Sequence, residues 1–78
     1  MNIKKLTEGE LDKIYLIYDI KIDNLKLKNH LENLFIKNNQ KISLKKKSYR
    51  SNAFIVKVLG INYALDKEIC EKIFIYDT

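Results

Sequence analysis

Seventy-eight residues with 15 basic and 10 acidic side chains, a net charge of +5 and 46% apolar content describe one small globular domain, residues 1–78, and exclude wholesale disorder. One cysteine excludes an internal disulfide and a cysteine metal cage and points to a reducing, cytoplasmic setting. The longest uncharged run, "VLGINYAL" at 58–65, is far short of the roughly 20 residues a bilayer span needs, and no membrane role is expected.

The N-terminal stretch "MNIKKLTEGELDK" has lysines with no apolar run behind them, so it reads as no secretory signal. Thr7 and Glu10 have the spacing of a helix capping box, but Gly9 and the Ile/Tyr density that follows favour a strand. That strand is expected over "KIYLIYDIKI", residues 13–22, with Ile14, Leu16, Tyr18, Ile20 and Ile22 facing inward. A helix is predicted over residues 24–38: Asp23 can cap it, Leu27, Leu31, Leu34 and Phe35 form an apolar stripe, and Asn38 and Asn39 can end it. Two strands joined by a turn near Ser51–Asn52 are expected from "QKISLKKKSYR" and "AFIVKVLG". In the second, Phe54, Val56 and Val58 would share one face, and Ile55, Lys57 and Leu59 the other. "EICEKIFIY", residues 68–76, reads as a last strand, with a short helical turn beginning at Asp66 as an alternative lead-in. The expected fold is α+β: a small antiparallel sheet of three to four strands with one main helix packed on one face, ferredoxin-like in character.

Charge is unevenly placed. Residues 24–65 hold eight lysines and Arg50 against Glu32 alone, whereas both ends are mildly acidic. Ile, Lys, Asn and Tyr make up 39 of the 78 residues, the signature of a low-GC genome, which raises lysine everywhere but does not strip acids from the middle. The basic block therefore points to a polyanion or an acidic partner surface. Its densest stretch is "SLKKKSYRSN", residues 43–52. With strict alternation Lys41, Ser43, Lys45, Lys47 and Tyr49 would face one way, and Lys46 and Ser48 the other with Ile42 and Leu44. The second half of this strand would then project beyond the core as a polar arm.

The candidate site is Lys41, Lys45, Lys46, Lys47, Tyr49 and Arg50: cations for a phosphate backbone and a ring for stacking on a base. Lysine lacks the bidentate fork of arginine, so base readout is not indicated. A plainer reading makes the same lysines guards of an exposed sheet edge. His30, Cys70 and the serines have no partners in the sequence pattern that would make them catalytic, and no metal or cofactor is expected. Two functions follow as expectations: a non-enzymatic module gripping nucleic acid through its backbone, or a small protein-binding inhibitor or adaptor, of phage or anti-defence type, docked on an acidic surface. A homodimer is one route by which so small a core gains buried area.

Overall fold

Alternating apolar residues, with glycine, asparagine or aspartate at the reversals, build a chain in which strand is the dominant element. The computed structural model describes residues 2–78. In chain order these form β1 (Lys4–Lys5), a 3-10 turn (Leu6–Glu8), β2 (Ile14–Ile20), α1 (Leu25–Asn33), β3 (Lys41–Ser48), β4 (Ala53–Val58), β5 (Ile61–Asp66), α2 (Lys67–Cys70) and β6 (Ile73–Asp77). The strands make one antiparallel sheet in the order β1-β6-β2-β3-β4-β5.

The sheet cannot be flat. β5 and β6 lie four positions apart, at least about 19 Å on a flat sheet. Only residues 67–72 join them, and the four helical residues of α2 advance about 6 Å. The sheet therefore curls until its two ends approach, and two β-bulges help it bend. One lies between Ile17 and Asp19 on β2, the other between Leu44 and Lys46 on β3. Inside the curl Tyr15, Ile17, Ile20, Ile42, Leu44, Phe54, Val56, Leu65, Ile73 and Ile75 form a continuous core, closed at its ends by Leu6, Leu31, Ile36 and Cys70.

This overturns the α+β, ferredoxin-like expectation of three to four strands with a helix layered on one face. Six strands are present among the described residues, and they wrap around their own core. α1 is shorter than residues 24–38 and buries only Leu31. Asn24, not Asp23, caps it, its side chain accepting from the Leu27 amide at 3.0 Å. The helix stops early because Phe35 takes a left-handed φ of 64°. The Ile36 amide then donates to the Leu31 carbonyl and the Phe35 amide to that of Glu32, both at 2.9 Å. This is a Schellman stop, whose apolar clasp is Leu31 against Ile36. Phe35, expected in the core, is half exposed.

The bulges correct the predicted faces as well. On β2 the buried residues are Tyr15 and Ile17 before the bulge and Ile20 after it, so Ile14 and Tyr18 point outward. Two strands escaped the sequence reading, β1 and β5, and the single strand expected over 68–76 is α2 followed by β6. The helical turn at Asp66 is present, with Asp66 as its N-cap residue.

Candidate docking face

Strand β3 carries most of the predicted site, and its bulge decides where each side chain goes. Before the bulge Ser43 pairs with Lys57, and after it Lys46 pairs with Ile55, two residues from Lys57 on β4. Cross-strand partners share a face, so Lys41, Ser43, Lys46 and Lys57 all lie on the convex outer side. Lys47 pairs with Phe54, which is fully buried, so it turns toward the concave side and is half-buried. Lys45 sits at the bulge and its ammonium is ion-paired to Asp12. That pairing follows from the backbone: the Asp12 amide donates to the Leu44 carbonyl at 2.8 Å, which lays the 9–13 loop alongside β3.

Tyr49 and Arg50 occupy the turn between β3 and β4. The Tyr49 ring meets Phe54 edge-on at 5.4 Å, and the Lys67 ammonium lies 5.9 Å from its centroid. Arg50 is exposed. The turn is no free arm. Asn52, at a left-handed φ of 56°, accepts at its carbonyl from the Lys67 amide at 3.1 Å and donates from its side-chain amide to Glu68 at 3.1 Å. Both bonds tie the hairpin tip to α2. Strand β3 meets β2 only at Lys41–Ser43; Lys46–Ser48 pair with β4 alone, so that half keeps the kind of edge the edge-guard explanation requires.

The outer face thus gathers the unpaired Lys41, Lys46 and Lys57, whereas Lys45 is ion-paired to Asp12 and Lys47 turns inward. Neither β3 nor β4 contains an acid, and none of the three lysines makes an ion pair among the described residues. Beside them lies a shallow groove of about 160 Å³ lined by Ile14, Lys41, Ser43, Lys57, Leu59 and Gly60. Ile14 and Leu59 are 52% and 62% exposed, so the cations border an aliphatic strip open to water. Lys57, Ile14 and Leu59 had not been picked out as site residues. The alternation of β4 already placed Lys57 and Leu59 together on the outer side, and only the β2 bulge hid Ile14.

The other reactive groups are placed differently. Cys70 is buried, and burial, then the nearby Asp66 and Glu71 carboxylates, push its thiol from 9.0 up to about 12. Ser51 donates to Ser48 at 2.6 Å on the surface. Among the described residues no three His, Cys, Asp or Glu side chains come together as metal ligands.

Comparison with solved structures defines the fold. The iron uptake regulatory protein FeoA superposes with a TM-score of 0.79 at 15% identity, over 96% of each chain. A FeoA-like protein from Clostridium acetobutylicum gives 0.78 at 16% identity, over 99% of this chain and 88% of that one. The fold is an SH3-like small β barrel of the FeoA type. A manganese-dependent transcriptional repressor contains it too, with a TM-score of 0.87 at 8% identity over 97% of this chain, which spans 41% of the repressor's length. No protein-family model and no curated protein matches the sequence. Among the described residues, no helix of this barrel is long and apolar enough to cross a membrane.

Proposed function

We propose that this barrel is a small non-enzymatic regulatory module that works by docking an acidic protein surface on its outer face. The observation that carries this reading is the joining of unpaired Lys41 and Lys57, with Lys46 on the same face, to the exposed aliphatic strip of Ile14 and Leu59. A protein interface combines an apolar centre with a polar rim. A phosphate track needs only charge, and exposed aliphatics there gain nothing. The structural neighbours support a regulatory role, since they are regulators and repressors, and FeoA has the size of this chain. The buried, high-pKa thiol supports binding over catalysis.

Nucleic-acid backbone binding is the second reading, favoured by the absence of acids from β3 and β4 and by the repressors among the neighbours. Affinity capture from the source lysate, with and without nuclease, separates the two. Docking predicts a nuclease-resistant protein partner that the K41E/K46E/K57E variant loses while keeping its unfolding midpoint. Retention of DNA or RNA at low salt, with a log–log salt slope of about −0.9 per phosphate on duplex DNA, would replace it with the second reading.

A further inference from the structure

The two edges of the sheet are built in opposite ways. β1 is two residues long, both lysines, and runs straight into a 3-10 turn. Such an edge is too short and too charged to accept another strand. β5 is six residues long, "INYALD", with no lysine although 14 of the 78 residues are lysine. Its register against β4 is unbroken from Ala53–Asp66 to Val58–Ile61, so no bulge twists it away, and Asn62 and Ala64 are exposed.

The hairpin geometry says which backbone groups are free. Leu59 and Gly60 have φ values of 51° and 79°, the signature of a two-residue type I′ turn. Such a turn closes on a hydrogen-bonded pair, here Val58 with Ile61. Ile61, Tyr63 and Leu65 therefore direct their amides and carbonyls to β4, while Asn62 and Ala64 direct theirs to the open side.

The geometry points to a second copy of this chain as the occupant of that edge, pairing β5 with β5 in antiparallel fashion about a twofold axis at Ala64. In this register Ala64 faces its equivalent, Tyr63 lies opposite Leu65 on the concave side, and Asn62 lies opposite Asp66 of the second copy on the outer side. Like charges never meet. Because Asn62 already pairs with Lys57, each outer row runs lysine, amide, carboxylate across the junction. The strand is its own complement in shape, hydrogen bonding and charge. A generic acidic peptide would match the lysine but not the concave Tyr63–Leu65 pairing.

Sedimentation equilibrium of the full chain tests this, together with amide exchange followed by NMR at several concentrations. Dimerisation is expected, and dilution should speed exchange at the Asn62 and Ala64 amides while leaving Tyr63 unchanged. Ala64→Pro removes only an outward amide, which an edge strand tolerates, and should weaken dimerisation at least about tenfold with the spectrum of the fold retained. Ala64→Lys gives the same result by placing a charge on the edge, should the proline variant fail to fold. A wild type that stays monomeric to about 1 mM, a dissociation constant worth only roughly 4 kcal/mol, overturns the inference. A dimer that both variants leave intact, or whose Asn62 and Ala64 exchange is independent of concentration, overturns it equally.

Discussion

Tyr15 shows how one side chain can serve core and surface at once. Its ring is fully buried, its hydroxyl accepts from the Glu10 amide at 2.9 Å, and the Lys4 and Lys13 ammonium groups lie 5.1 and 5.4 Å from its centroid. Tyr15→Phe keeps the packing and strands the Glu10 amide. It should lower stability by about 1 kcal/mol in urea unfolding, and a wild-type midpoint would show that water replaces the bond. Cys70 gives a prediction in pH. Its folded pKa, about 12, lies above the 9.0 expected unfolded, so the folded state holds the thiol proton more tightly. The stabilisation is complete below pH 9 and is lost as the pH rises toward 12. Wild type should therefore lose stability over that window faster than Cys70→Ala, a comparison that cancels the titration of lysines and tyrosines. Parallel curves would remove the linkage.

Among the elements, α1 is where local signals and their outcome diverge most usefully. The leucine spacing correctly marks a helix and Leu31 as its buried residue, but the stop at Phe35 has no compositional marker, because a left-handed aromatic is rare. This yields two opposite expectations. Leu31→Ala should cost about 2–5 kcal/mol, as it opens a cavity against Ile36. Phe35→Gly should instead stabilise the protein by about 1 kcal/mol, since glycine carries no penalty at positive φ and the ring is half exposed. A lower thermal midpoint for Phe35→Gly would mean that its contact with the Lys37 ammonium, 5.7 Å away, outweighs the strain. Strands β2 and β3 were legible as strands, yet half of each was assigned to the wrong face. A bulge adds one residue and inverts every side chain after it, and neither Tyr18 nor Lys45 announces that in sequence. The predicted site was divided for the same reason. β5 escaped assignment although Ile61, Tyr63 and Leu65 alternate behind Gly60, because so short a run carries little signal by itself. Gly9 was legible only as a helix breaker, whereas its place is set by crowding: a Cβ there would meet Ile75, Tyr15 and the Leu6 carbonyl at 3.2 Å each.

For the whole molecule, the sheet order lay beyond any local pattern, since it depends on where the last strand inserts. β6 enters between β1 and β2, joining Ile73 to Ile20 and Ile75 to Ile17 across more than 50 residues of chain, whereas β3, β4 and β5 are joined by tight hairpins. Loop closure must be met before distant contacts reward it, so the meander should form early and the insertion late. The order of events in folding is thereby written into the topology. Val56→Ala, in the meander, should slow refolding. Ile75→Val, in the inserted strand, should leave refolding nearly unchanged and act almost entirely by speeding unfolding. Stopped-flow chevrons of the two variants measure this directly. If Ile75→Val slows refolding in proportion to the stability it loses, closure of the barrel belongs to the nucleus, and the chain must find its most distant partners first.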